Sequence, residues 1–239
     1  MNKIAIILIL LISMTAGLKD NASNHSEYWH QRVSLFEELP IHSGDIVFVG
    51  NSITDGGEFA ELFDNPNIKN RGISGDTVEG VLERINQVTK YSPSKIFLLI
   101  GINDVSHGES ASTILSEFKE LIAKIHEESP ETKLYIQSVM PVNMLSFNRY
   151  KNLNGKEDVI LAINKGLPCL TSSEDTYIDL WAYLADEDGN LLTEYTNDGL
   201  HLNGKGYKKW VEAIHPYVDD KVTTIDKHQA IVHTTEEIE

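Results

Sequence analysis

Between residues 45 and 218 the chain alternates two kinds of apolar pattern. Short continuous apolar runs read as strands buried on both faces, and stretches with an apolar residue every three or four positions read as helices with one face on a core. The runs are Asp45–Gly50 (DIVFVG), Asn67–Gly72 (NIKNRG), Lys95–Gly101 (KIFLLIG), Lys133–Val139 (KLYIQSV) and Thr176–Leu180 (TYIDL). Between them, Val78, Val81, Leu82, Ile85 and Val88 predict one helix, stopped by Pro93, and Ile114, Leu115, Phe118, Leu121, Ile122 and Ile125 a longer one from about Ser112 to Glu128. A further helix runs through Val159, Ile160, Ile163 and Leu167, and a closing one carries Tyr207, Trp210, Val211 and Ile214. Asp55 with Glu58, and Asp76 with Glu79, have the spacing of helix-opening capping boxes, the first for a short helix through Leu62.

Strand–helix alternation is the signature of βαβ units, whose right-handed crossovers cover both faces of a parallel sheet. The expectation is one doubly wound, three-layer α/β/α domain over residues 23–220 with a five-stranded parallel sheet. Such sheets bind ligands outside the carboxyl ends of their strands, where the loops are residues 50–57, 72–76, 101–108, 140–156 and 181–203. The polar and aromatic stretch Met140–Lys156 has no clear period and reads as a binding loop.

Composition narrows the partners. Of 239 residues 41% are hydrophobic, too many for a disordered chain, and the formal net charge is −16, which repels nucleic acid and anionic lipid surfaces. The single cysteine, Cys169, excludes an internal disulfide and a cysteine-based zinc site, and after Leu167 and Pro168 it reads as a small buried hydrophobe. There is no H-E-x-x-H pair, no phosphate-binding G-x-x-x-x-G-K and no G-x-G-x-x-G after a strand, so neither a metal nor an organic cofactor is expected. At the start, MNKIAIILILLISMTAG has the lysine, apolar run and small residues of a signal peptide, and the run is about half of the ~20 residues a membrane span needs. Residues 1–22 are therefore read as a cleaved leader without a lipid-modified cysteine, the protein as secreted or periplasmic with no stable membrane insertion, and residues 221–239 as a flexible tail.

Three of the ligand-side loops hold residues that suit acyl transfer: Gly50-Asn51-Ser52, Gly101-Ile102-Asn103-Asp104 and Asp198-Gly199-Leu200-His201. Singly, each has a backbone explanation as a cap or turn. Together they supply a hydroxyl, an imidazole to take its proton, and a carboxylate three residues from that imidazole to fix its tautomer. Backbone N–H groups near Ser52 and Gly72, with the Asn103 amide, are candidates to hold an oxyanion, and Asp104 reads as a partner for loop backbone. Of the aromatics Tyr28, Trp29, Phe36, Tyr150, Tyr183 and Tyr195, only Tyr150 and Tyr195 lie in loops on the ligand side, where a ring could stack on a sugar.

The ordered set Gly50-Asn51-Ser52-Ile53-Thr54, Asn70-Arg71-Gly72, Gly101-Ile102-Asn103-Asp104 and Asp198-Gly199-Leu200-His201 resembles the four blocks of the SGNH hydrolases, or GDSL-type esterases, over about Asp45–Val218. The resemblance implies a flavodoxin-like sheet, Ser52 as nucleophile, His201 and Asp198 completing a triad, and Gly72, Asn103 and the Ser52 N–H as the oxyanion hole. Asn51 stands where the family's name motif has Asp. The GNSITDGGE, NRGISGDT and QSVMPVN segments are similar to the small bacterial carbohydrate-acetylesterase branch, sialate O-acetylesterases included, and to acetylhydrolase subunits acting on platelet-activating factor. The expected activity is removal of a short acyl group, chiefly acetyl, from a small-molecule or glycan ester. A lipid or thioester acylhydrolase is the alternative enzyme, and a non-catalytic carbohydrate-binding protein the alternative of another class. The net charge opposes an anionic sugar unless Arg71 or Arg149 offsets it locally.

Overall fold

The five apolar runs pair into one parallel sheet, in a computed structural model that describes residues 25–219. The expected leader (1–22) and tail (221–239) lie outside the described residues. In chain order the elements are α1 (Glu27–Glu38), β1 (Ile46–Gly50), α2 (Ser52–Asp55), α3 (Phe59–Leu62), β2 (Ile68–Gly72), α4 (Val78–Arg84), α5 (Asn86–Thr89) and β3 (Lys95–Leu99). There follow α6 (Ile102–His107), α7 (Ala111–Glu128), β4 (Lys133–Gln137), α8 (Glu157–Gly166), β5 (Thr176–Ile178), α9 (Trp181–Leu184) and α10 (Gly204–Val218). Three 3-10 turns occupy Lys151–Leu153, Leu167–Leu170 and Thr193–Tyr195.

The strand order is β2-β1-β3-β4-β5, the flavodoxin-like arrangement. β1 leads outward to β2, while every later step runs the other way, so right-handed crossovers put α3 on one face and α4, α7 and α8 on the other. The register sets Phe48, Phe97 and Tyr135 side by side on three adjacent strands, with ring centroids 4.9 and 4.5 Å apart. Phe59 of α3 stacks on Phe48, and Trp210 of α10 meets Phe59 edge-on, which seals this face. The direction of winding reverses between β1 and β3, and the segments leaving these two strands carry Ser52 and Asn103.

Three local expectations are corrected. Asp55 and Glu58 form no capping box: Asn51 caps α2, and Glu58 makes no side-chain cap bond to α3. Asp76 does not cap α4; Thr77 does, accepting from Gly80 N. Both aspartates are held by donors from distant segments instead, as described below. Cys169 is exposed rather than buried, because the 3-10 turn Leu167–Leu170 directs Leu167 inward and Cys169 outward. Among the described residues no helix is long and apolar enough to cross a membrane.

Candidate active site

Asn51 is fully buried, and its Oδ1 accepts from Ile53 N at 3.0 Å, so the chain turns from β1 into α2 with Ser52 as the first helical residue. An amide does here what a carboxylate would do as a cap, without burying a charge. Asn70 on β2 fastens this short helix. Its Nδ2 donates to Thr54 O (2.7 Å) and Gly57 O (2.8 Å), and Tyr207 OH of α10 donates to Ile53 O at 2.7 Å.

His201 comes from an irregular segment organised by Thr196, whose Oγ1 donates to His201 O (2.7 Å) and accepts from Gly199 N (2.9 Å). Asp198 Oδ1 accepts from the N–H groups of Leu200 (3.0 Å) and His201 (2.8 Å), and its Oδ2 lies 2.8 Å from His201 Nδ1. On the far side of the ring, His201 Nε2 is 2.9 Å from Ser52 Oγ. The structure thus brings together Ser52, His201 and Asp198 in one hydrogen-bonded series, an arrangement able to take a proton from a hydroxyl and steady the resulting imidazolium. Burial acts to raise the Asp198 carboxyl, but the His201 ring and the two N–H donors outweigh it and hold it at about 2. Because that is below its ordinary 3.8, ionised Asp198 stabilises the fold fully above about pH 4, and the contribution is lost as pH falls toward 2.

A cavity of about 390 Å³ opens beside this series. Ser52, Gly75, Asn103 and His201 line it with polar groups, and Ile102, Leu153 and Leu200 with apolar ones. Asn103, in the first turn of α6, donates one Nδ2 hydrogen to Asp76 O at 2.8 Å, which leaves the other for a ligand. Asp104 bonds backbone as expected, though at the first residue of α4 rather than in a loop: its buried Oδ1 accepts from Val78 N at 3.0 Å. Burial pushes its carboxyl up to about 6, the Val78 N–H opposing.

Gly72 is not brought into the cavity. It is buried, its N–H is donated to Asn70 Oδ1 at 2.7 Å, and a Cβ there would come within 2.2 Å of Asp55 N, so its smallness serves the packing of α2 on β2. The glycine at the cavity is Gly75, three residues on, exposed and at φ +84°. Among the described residues the N–H groups of Gly75 and Ser52 take no acceptor, which leaves both available. The sequence signal that sets the two glycines apart is Asn70, whose side chain reaches the N–H two residues ahead in a common local bond and so engages Gly72.

Tyr150 does line the cavity, but its hydroxyl is engaged with Asp198 and His201 rather than free for a sugar. It donates to Asp198 Oδ2 at 3.2 Å and lies 3.2 Å from His201 Nδ1, with its ring edge-on to the imidazole. Tyr195 does not line the cavity; it packs partly buried against the core. Among the described residues no group of three or more His, Cys, Asp or Glu is arranged to hold a metal.

A parallel sheet with a hydroxyl, imidazole and carboxylate in series at its switch point defines the architecture of an α/β hydrolytic enzyme. Residues 48–209 match the GDSL-like Lipase/Acylhydrolase family, and the chain belongs to that family of carboxylic ester hydrolases. Among curated proteins it is similar to platelet-activating factor acetylhydrolase IB subunit alpha2 of Rattus norvegicus and of Homo sapiens, each 26% identical over 195 residues, spanning 76% of this chain and 82% of theirs. Among solved structures, a Streptococcus pneumonia protein named for platelet activating factor superposes with a TM-score of 0.73 at 26% identity, covering 80% of this chain and 92% of its own. A GDSL-like lipase from Bacteroides thetaiotaomicron shares the fold, with a TM-score of 0.68, 19% identity, and 81% and 98% coverage.

Proposed function

We propose that this acylhydrolase is an exported serine esterase that removes O-acetyl groups from carbohydrates, with residues 1–22 as its leader and the domain over 23–220. The observation that carries the chemistry is the unbroken series Asp198 Oδ2, His201 Nδ1, His201 Nε2, Ser52 Oγ. Ser52 Oγ attacks the ester carbonyl as its proton passes to His201 Nε2. The carbonyl oxygen, now negative, is held by the N–H groups of Ser52 and Gly75 and the spare Asn103 amide hydrogen. His201 then returns the proton to the departing sugar oxygen as the acyl–serine ester forms, and a water repeats the sequence to release acetate and free Ser52. The cavity, about 390 Å³ and open to solvent, supports a short acyl group by offering only a small apolar lining, Ile102, Leu153 and Leu200, beside Ser52.

A second reading keeps the acetyl group and changes what carries it. The curated relatives are named for platelet-activating factor, which favours an acetylated lipid. The experiment measures acetate release from O-acetylated glycans, from platelet-activating factor and from a chain-length series of p-nitrophenyl esters, with Ser52→Ala as control. We expect Ser52→Ala to abolish turnover in a folded protein, acetyl to be the preferred acyl group, and glycans to outrun the lipid. Turnover that survives in Ser52→Ala would sink the triad, and a faster lipid reaction would transfer the assignment to the second reading.

A further inference from the structure

The oxyanion role given to Gly75 leaves open what holds it in place, since a Cβ at this glycine would meet nothing within 4 Å. Its three neighbours in the 73–76 loop are all held by α1, directly or through one carboxylate. Ile73 is fully buried in a small cluster with Trp29 and Phe36, apart from the main core. Ser74 donates its N–H (3.2 Å) and Oγ (2.9 Å) to Asp55 Oδ2, and the same oxygen accepts from Tyr28 OH at 2.7 Å. Arg32, one turn along α1, stands 3.6 Å from Asp55 Oδ1. On the other side, Asp76 Oδ1 accepts from Trp29 Nε1 at 3.0 Å, Asp76 Oδ2 from Arg84 Nε at 2.7 Å, and Asp76 O from the Asn103 amide. Asp55 itself is the last residue of α2, the helix that begins with Ser52.

We propose that α1 is a positioning element of the active site and that Asp55 is the residue through which it acts, fixing the Ser74–Gly75 peptide relative to the nucleophile so that the Gly75 N–H meets the oxyanion. A glycine with free φ and no packing of its own takes its direction from its neighbours, and an oxyanion donor misplaced by an ångström loses most of its effect. Tyr28 and Asp55 touch no substrate; they act through Ser74 and Gly75. The inference rests on the acyl-transfer reading above.

The test uses Tyr28→Phe, Asp55→Asn and Asp55→Ala in the full chain, with Leu35→Ser on the exposed side of α1 as the variant expected to behave as the parent. Three quantities are read: kcat and KM on p-nitrophenyl acetate, the affinity of a phenylboronic acid, whose serine adduct is a tetrahedral anion, and the thermal midpoint. We expect kcat to fall about three- to tenfold in Tyr28→Phe and about a hundredfold in Asp55→Ala, with KM little changed and boronate affinity falling in step. Asp55→Asn, which keeps an oxygen for Ser74, should recover most of the loss. The acid limb of the kcat/KM profile should not move, because the Ser52–His201–Asp198 series is untouched. Unchanged kcat in folded Tyr28→Phe and Asp55→Ala would overturn the proposal, as would a lower thermal midpoint with boronate affinity intact. Failure of the acyl-transfer reading itself would appear separately, as turnover in Ser52→Ala.

Discussion

Ser52 stands two residues beyond a strand in which every residue is buried, whereas His201 stands in the stretch between α9 and α10, whose regular features are a 3-10 turn and two isolated bridges, Ala185 with Leu191 and Thr196 with Leu202. The Ser52 side inherits its geometry from the sheet: Gly50 ends β1, Asn51 caps α2, and Asn70 on the neighbouring strand ties α2 down. The histidine side builds its geometry from side chains. Thr196, Asp198 and Tyr150 together make the hydrogen bonds that a ladder would otherwise supply, and the Asp198 and His201 side chains remain 15% and 34% exposed. The two halves also differ electrically. Asp198 is held ionised at about 2 by donors, while Asp104, beside Asn103, is pushed up to about 6 by burial. A buried strand frame thus positions Ser52 and the Asn103 amide, and a polar, partly solvated loop positions the imidazole proposed to carry a charge during turnover.

The largest expected effect lies in the loop half. Asp198→Asn keeps the shape but offers His201 Nδ1 an amide, favouring the wrong tautomer, and kcat should fall on the order of 10⁴-fold. A loss of only a few fold would mean that Tyr150 OH, 3.2 Å from the same ring nitrogen, can hold the imidazole alone. Next comes the framed half: Asn103→Ala removes one oxyanion donor and should lower kcat about 10²–10³-fold with KM little changed. If instead KM carries the loss, the amide serves ground-state binding, and the contrast between a frame for the transition state and a loop for the proton would have to be redrawn.

How much of this the chain announces in advance follows the same division. The sheet, its parallel sense and helices α7, α8 and α10 are legible because continuous and three-to-four-residue apolar patterns survive in local sequence. Ser52, Asn103, Asp198 and His201 are legible as residue types in order, and the structure places Ser52, Asn103 and His201 around one cavity, with Asp198 hydrogen-bonded to the His201 ring. What escapes depends on partners far away in sequence. Asp55 and Asp76 look like helix caps, with a glutamate three residues on, but Tyr28, Ser74, Trp29 and Arg84 take their carboxylates. Tyr150 meets Asp198 across 48 residues, a distance no local pattern spans. α1 escapes too: its two buried residues, Trp29 and Phe36, are seven positions apart and give too sparse a period to read as a helix.

The smallest expected effect concerns the opposite titration of the two carboxylates. Asp104 sits above its ordinary 3.8 in the fold, so the folded chain binds its proton more tightly than the unfolded one. Its contribution to stability is therefore largest below about pH 4, declines as pH rises through about 6, and then levels off; for Asp198 the loss runs the other way, on acidification. Burial is the main cause, with Val78 N–H and His107 favouring the ion and Asp76 opposing it; Glu117, itself pushed up to about 7 chiefly by burial, feels the Asp104 charge in turn. Asp104→Asn retains an oxygen for Val78 N and removes the titration. Urea unfolding at pH 4, 5, 6 and 7 should show the variant gaining on the parent as pH rises, by about 2–3 kcal/mol across the range. A difference that stays flat would show Asp104 already ionised at pH 4 in the fold. The nucleophile half would then be as wet as the histidine half, and the buried frame could not be what distinguishes the two.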